Sequence, residues 1–310
     1  MKADSNLKSI LANNNFAVTA ECGPPKGADP GVIRKKGAVL KDHVDSVNVT
    51  DNQTGAVRLS SMAACAILKQ EGLDPVLQMV TRDRNRIALQ SDVLGASSLG
   101  IRNILCLSGD HQSFGNQKEA KGVFDLDSIQ FVQAVRRMRD EGRIIGGEQL
   151  SDPPRLFIGA VANPFADPFD YRVVRLAKKV AAGAEFIQTQ CIYNLKRFAE
   201  WMRQVRERGL DKKVFILGGV TPLKSVRMAE YMSRQVAGMD VPDGIINRMR
   251  GVDPKDQRRE GIRIAVETVG ALKEMEGVHG VHIMAIEWED VVPQIVEEAG
   301  LYPRPRTSEE

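Results

Sequence analysis

The chain has 310 residues, of which 43% are hydrophobic and 27% charged, and its 43 basic and 40 acidic residues leave a net charge of +3. This composition predicts a soluble globular protein with a large core. The balanced charge argues against a nucleic-acid-binding surface, and no run approaches the roughly 20 apolar residues that a membrane-spanning helix needs. The four cysteines form no CxxC pair or metal-type cluster, which favours a reducing cytoplasm and predicts no metal site in this chain.

Short, β-branched apolar runs alternate with amphipathic stretches along the whole chain. Runs such as LFIGAVA and VFILGGV are apolar throughout, as is typical of strands buried on both faces of a parallel sheet. Eight such units in one chain favour an α/β fold of the (β/α)₈ TIM-barrel type in a single domain, 1–310, with a doubly wound open sheet as the alternative. The predicted strands are Phe16–Glu21, Ser46–Asp51, Pro75–Thr81, Asn103–Gly109, Arg155–Asn163, Glu185–Gln190, Lys213–Val220 and Gly280–Ile286.

The stretches between these strands carry apolar residues at i, i+3 and i+4, which predicts helices. Residues 1–14 are expected to form an N-terminal helix or arm, and 303–310 a frayed tail. Segment 142–154 is expected to form a surface or partner loop on the N-terminal face, and 238–256 is a second addition to a minimal barrel. The predicted helices are Arg58–Gln70, Arg84–Leu99, Leu126–Glu141, Tyr171–Ala182, Lys196–Arg208, Leu223–Gln235 and Arg258–Glu276.

Every predicted strand ends in or next to a polar group. Catalytic groups of barrel enzymes lie at the C-terminal ends of the strands, so these side chains predict an active site there. Helix capping explains one or two of them, such as Asp51 or Thr221, but explains the whole set poorly. The set comprises Glu21, Thr50, Asp51, Asn52, Gln78, Asp110, His111, Asn163, Gln190, Thr221 and Glu287.

Two carboxylates carry the chemical hypothesis. Glu21 precedes a stiff Pro-Pro turn, and a carboxyl among apolar neighbours there has a raised pKa and can act as a general acid, although an exposed loop carboxylate is the alternative. Asp110 follows Gly109, which permits close approach of a ligand, while an Asx-turn explains it equally well. The sequence lacks phosphate-loop and Rossmann fingerprints, and its histidines lack zinc spacing, so His282 is expected to be a core or rim residue.

Seven motifs follow one another at the strand ends: TAECGPPKG, VNVTDNQTGA, GIRNILCLSGD, GAVANPFADP, AGAEFIQTQ, GGVTP and VPDGIINRM. From about Phe16 to Tyr302 their order resembles the flavin-dependent methylenetetrahydrofolate reductases. The chain is most similar to the short form that works with an accessory subunit carrying zinc or iron–sulfur centres. The resemblance implies a flavin, FAD or FMN, at the barrel mouth and a tetrahydrofolate substrate; it leaves the oligomeric state open.

The resemblance also implies residue roles. Glu21 matches the general acid that helps protonate N10 of 5,10-methylenetetrahydrofolate, so that reduced flavin can deliver a hydride to the resulting 5-iminium cation. Asp110 matches the acidic residue that stabilises this cation, and Gln190 the glutamine that binds folate, with Thr221 and Glu287 on the substrate side. The expected cofactor-binding set is Thr50, Asp51, Gln78, Ser108, Gly109, Asp110, His111, Asn163, Arg172, Arg175 and Lys179.

Several positions depart from the family pattern. Ser108 stands where an arginine is usual, and Arg172 and Arg175 stand near the positions that meet the adenylate of FAD, which makes FMN an alternative. The aromatic residue that stacks NADH is replaced in the region of Leu223 and Val226, so electrons are expected through the partner subunit. A pterin-dependent methyltransferase barrel and a non-catalytic partner subunit are the competing hypotheses.

Overall fold

The computed structural model describes residues 3–305, in which eight parallel strands close into one barrel. Strand order follows chain order, and Val18 of the first strand lies opposite Val281 of the last. The predicted (β/α)₈ barrel is therefore confirmed, and the open sheet is excluded. The strands are β1 Ala17–Cys22, β2 Ser46–Val49, β3 Pro75–Val80, β4 Asn103–Leu107, β5 Phe157–Ala162, β6 Phe186–Cys191, β7 Phe215–Val220 and β8 Gly280–Ile283.

All seven predicted helices are present, as α3 to α8 and α10. Three more were not predicted: α2 follows β1, α9 lies within segment 238–256, and α11 follows β8. The N-terminal helix expected within 1–14 is α1. The helices are α1 Asn6–Ala12, α2 Pro30–Leu40, α3 Ser61–Gln70, α4 Arg86–Ser98, α5 Ser128–Asp140, α6 Tyr171–Ala182, α7 Leu195–Glu207, α8 Val226–Gln235, α9 Asp243–Arg250, α10 Gln257–Lys273 and α11 Val292–Glu298.

Alternate residues of each strand face the surrounding helices and the barrel interior, as the two-residue period of a strand requires. Helix α1 packs against the N-terminal part of that interior and covers this end of the barrel. The C-terminal ends are therefore the ones that can hold a site. The packed set comprises Leu7, Ile10 and Leu11 of α1 with Val76, Leu105, Phe157, Phe186 and Leu217 of the strands.

The segment after α11 is anchored at the N-terminal end of the barrel strands. Arg304 donates to the Asp45 carboxylate at 2.7 and 3.1 Å and to the carbonyl oxygens of Phe16 and Leu301. The predicted fraying therefore does not begin at Pro303, and the rest of that prediction, 306–310, lies outside the described residues. Within 3–305, no helix is long and apolar enough to cross a membrane.

Candidate active site

Two neighbouring cavities open at the C-terminal ends of the strands, and Glu21 and Gln53 line both. The β2–β5 cavity, of about 370 Å³, is lined among others by Thr50, Asp51, Gln78, Arg82, Ser108, Gly109, Asp110, Arg175 and Lys179. The β1–β8 cavity, of about 320 Å³, is lined among others by Pro24, Pro25, Lys26, Lys36, Arg58, Glu287 and Glu289. Glu21 thus lies on the wall between two spaces of ligand-binding size.

Glu21 belongs to β1 and is only 8% exposed. Burial raises its pKa from 4.5 to about 7, because a charged carboxylate is poorly solvated there. A hydrogen bond from Gln53 Nε2 to Glu21 Oε1, 3.3 Å long, lowers the pKa and partly offsets the effect of burial. The predicted elevation of the pKa is confirmed. Near neutral pH the carboxyl can therefore either hold or release a proton, as a general acid must.

Charged side chains of the β1–β8 cavity surround Glu21 from one side. Lys36 of α2 forms an ion pair with the buried Glu289 at 2.5 Å. Glu289 raises the pKa of Glu21, while Lys36 and Arg58 lower it. Glu287 lines the same cavity, but its side chain is 73% exposed and lies 3.8 Å from Arg58. It therefore belongs to the rim of the cavity.

The β2–β5 cavity combines a buried, unpaired hydroxyl with a close-approach glycine. Thr50 Oγ1 is buried and has no hydrogen-bond partner among the described residues. Gly109 has φ +84°, and a Cβ there would lie 3.0 Å from the Cβ of Val80, so a side chain would be both strained and crowded. Asp51 also lines the cavity, but its carboxylate accepts from the Val80 amide and from Arg84. Asp51 therefore holds the strand ends together.

Helix α6 contributes positive charge to the same cavity. Lys179 is buried, its Nζ donates to the carbonyl oxygen of Val161 at 2.5 Å, and burial lowers its pKa to about 8. Arg175, one turn earlier, is exposed and also lines the cavity. Two cations one helical turn apart suit a phosphate group.

Five predicted site residues lie outside the linings of both cavities and make local bonds instead. Gln190 lies outside the linings because the pairing of β6 with β7 shifts register between Gln188 and Cys191. Its side chain accepts a hydrogen bond from the Cys191 amide instead. Their partners are Ser113 for His111, the amides of Phe165 and Ala166 for Asn163, the carbonyl of Asp167 for Arg172, Cys191 for Gln190 and also Cys191 for Thr221.

The family model of methylenetetrahydrofolate reductase matches residues 6–300. The chain belongs to the methylenetetrahydrofolate reductase family. It is 26% identical to methylenetetrahydrofolate reductase 2 of Schizosaccharomyces pombe over 82% of this chain and 40% of that protein. It is 29% identical to methylenetetrahydrofolate reductase 2 of Saccharomyces cerevisiae, over 83% and 42% respectively. The chain thus spans about two fifths of the length of these relatives.

Solved structures share the fold at low sequence identity. An uncharacterised protein from Clostridium thermocellum, described as binding two copies of 5-methyl-5,6,7,8-tetrahydrofolic acid, has a TM-score of 0.61 at 14% identity and covers 95% of this chain and 98% of its own. A 2,3-dimethylmalate lyase has a TM-score of 0.51 at 11% identity, covering 91% and 79%. These likenesses establish the barrel fold.

This member of the methylenetetrahydrofolate reductase family also has a buried polar layer beneath Glu21 that was not predicted. His282 Nδ1 lies 2.9 Å from Thr19 Oγ1, and Gln188 Nε2 donates to Asn48 Oδ1 at 3.2 Å. Burial lowers the pKa of His282 to about 3, so the ring is neutral, and the expectation of a core histidine is confirmed. Counting back two residues from Glu21 and from Gln190 would have pointed to Thr19 and Gln188.

The lining residues that sequence reasoning missed include Gln53, Lys36, Arg58, Arg82 and Glu289. Gln53, Arg58 and Arg82 lie in loops, where strand periodicity carries no information about direction, and Lys36 lies in α2, which was not predicted. Among residues 3–305, no group of three histidine, cysteine or acidic side chains could hold a metal ion. The four cysteines are buried and free.

Proposed function

We propose that this chain reduces 5,10-methylenetetrahydrofolate to 5-methyltetrahydrofolate with a bound flavin, and that Glu21 is the general acid. The observation that carries the proposal is the position of Glu21 between two cavities, with a pKa near neutrality. Membership of the family supports the reaction. A tetrahydrofolate-binding protein with the same fold supports the class of substrate.

The β2–β5 cavity suits the flavin. The unpaired Thr50 hydroxyl and the amide of Gln78 provide polar contacts for a heteroaromatic ring, and Gly109 allows close approach. Arg175 and Lys179 suit its phosphate. The proposal covers FMN and FAD alike, since both carry the same ring and a 5′-phosphate. When bound, the reduced flavin supplies the hydride of the reaction.

On the other side of Glu21, the β1–β8 cavity suits the folate. Glu21 donates its proton to N10, the five-membered ring opens, and the positive charge remains on the 5-iminium group. The Asp110 carboxylate stabilises this cation electrostatically. Hydride addition to the iminium carbon completes the 5-methyl group, and Glu21 regains a proton from water. Gln190 and Thr221 stay predictions as folate contacts, and Gln190 would have to release the Cys191 amide to act as one.

We infer that the electrons arrive from a partner subunit carrying zinc or iron–sulfur centres, in the cytoplasm. Support comes from the cavity linings within residues 3–305, which contain no aromatic ring that could stack on a nicotinamide. Leu223, in the region where the resemblance expects such a ring, is fully buried. Four buried free thiols suit a reducing compartment.

The test begins with the absorption spectrum of the purified protein, before and after addition of FMN or FAD. A flavin spectrum is expected, together with formation of 5-methyltetrahydrofolate when the reduced protein is mixed with substrate. Glu21→Gln should keep the flavin and slow this step by on the order of 10²-fold or more. A protein that binds neither flavin yet transfers a methyl group from 5-methyltetrahydrofolate to a corrinoid would replace the proposal with the methyltransferase.

A further inference from the structure

Arg82 lies just beyond β3 and is only 2% exposed, although it carries a permanent charge. Its guanidinium contacts the loops that follow three neighbouring strands. Nη1 donates to the carbonyl oxygen of Asp110 at 3.0 Å, and Nη2 to that of Asn52 at 3.2 Å. Nε and Nη2 also pair with the Asp83 carboxylate at 2.7 and 2.6 Å, which balances the charge. One side chain thus fixes the loops after β2 and β4 relative to each other.

In both loops Arg82 holds the backbone at or next to a residue with positive φ. Asn52 has φ +44°, a left-handed conformation that is uncommon for a residue with a side chain. The next residue, Gln53, is the one that donates to Glu21. On the other side, the left-handed turn at Gly109 delivers Asp110 to the cavity, and Arg82 holds the carbonyl of that residue. The two carboxylates proposed for catalysis therefore depend on backbone segments that Arg82 holds.

We propose that Arg82 is a positioning residue for both Glu21 and Asp110. It positions Glu21 indirectly, through Asn52 and Gln53, and it positions Asp110 by binding the carbonyl oxygen of that residue. The catalytic consequence rests on the proposed function, whereas the effect on Glu21 does not. This arrangement uses several N–H donors held in one plane, which only a guanidinium provides. A lysine keeps the charge but not this fixed geometry of donors.

The test measures the pKa of Glu21 in the full chain by ¹³C NMR of labelled glutamate carboxyls, with Glu21→Gln assigning the signal. Arg82→Lys and Gln53→Met should each raise the pKa by about one pH unit, because each removes a hydrogen bond to the ionised form. The double variant should show the same rise as either single variant, since both act on one bond. The other groups that face Glu21 stay in place in every variant: Cys22, Lys36, Arg58, Cys191 and Glu289.

Arg139→Lys is the matched control. The side chain of Arg139 is only 5% exposed, pairs with the following aspartate as Arg82 does and also with Glu185, and donates to the carbonyl of Leu156, but it lies at the other end of the barrel. It should leave the Glu21 pKa unchanged. With methylenetetrahydrofolate, Arg82→Lys should lower the rate of reduction by on the order of tenfold, and Arg139→Lys should not.

An unchanged Glu21 pKa in Arg82→Lys, or additive shifts in the double variant, would overturn the positioning role. If Arg82→Lys does not fold, Asp83→Asn loosens the same guanidinium. Loss of that negative charge alone would lower the Glu21 pKa, so a rise supports the proposal and a fall contradicts it. If the coupling holds but wild-type protein does not reduce the substrate, the proposed function fails and the positioning role stands.

Discussion

Replacing Glu21 by glutamine is predicted to stabilise the flavin-free protein at pH 8 and to change little at pH 4.5. The pKa of this carboxyl is about 7 in the folded chain and near 4.5 when exposed, so the folded state binds the proton more tightly. The stability that the folded state gains from this tighter proton binding is fully present below pH 4.5 and is lost as the pH rises through 7. At about 1.4 kcal/mol per pH unit, the ionised form is disfavoured in the fold by about 3 kcal/mol at pH 8. Glutamine has nearly the same shape and stays neutral.

The assay is urea unfolding of wild type and Glu21→Gln at pH 4.5, 6 and 8, with Glu148→Gln as the control. Glu148 is exposed in the connection between α5 and β5, so its replacement should shift no midpoint with pH. The stability difference between Glu21→Gln and wild type should grow steadily from pH 4.5 to 8. The reasoning is refuted if the variant is equally stable or less stable than wild type at pH 8 while folding normally.

Three further predictions concern the barrel and its ligand. Leu7→Ala should lower the free energy of unfolding by about 2–5 kcal/mol in urea titrations, because it opens a cavity where α1 covers the barrel; an unchanged midpoint would argue against that packing. Arg304→Ala should lower the free energy of unfolding by about 3–5 kcal/mol, because the Asp45 carboxylate stays buried without its cationic partner. Adding Asp45→Asn to this variant should restore part of the lost stability. Lys179→Met should weaken FMN binding by about tenfold or more in fluorescence titrations, and an unchanged affinity would remove Lys179 from the phosphate site.

The barrel could be predicted because two periodicities alternate eight times. The alternation of inward- and outward-facing residues marks each strand, and the apolar faces of the intervening helices mark which side of each helix is buried. Helix α2 was missed although Asp29 and Pro30 mark its start as an N-cap and a first-turn proline. Several strands were predicted too long, because the residues directly after β2, β4 and β8 belong to loops.

Site residues could be predicted only where strand alternation determines the direction of the side chain. Glu21, Thr50 and Gln78 obey that count and line the cavities. Gln190 follows a register shift in β6, which the sequence does not signal. Arg82 lies in the run TRDRNR, which reads as a solvated charged segment. Its burial depends on carbonyl oxygens of two other loops, and such partners are fixed by tertiary structure alone.

The central claim is that Glu21 supplies the proton for folate reduction. It is tested most directly by single-turnover formation of 5-methyltetrahydrofolate by the reduced, flavin-loaded protein between pH 5.5 and 8.5. In wild type the rate should be constant below about pH 7, where Glu21 is protonated, and should fall toward tenfold per pH unit above it. Glu21→Gln should be slower by on the order of 10²-fold and show no such dependence. Wild-type rates with the same pH profile in Glu21→Gln would contradict the account.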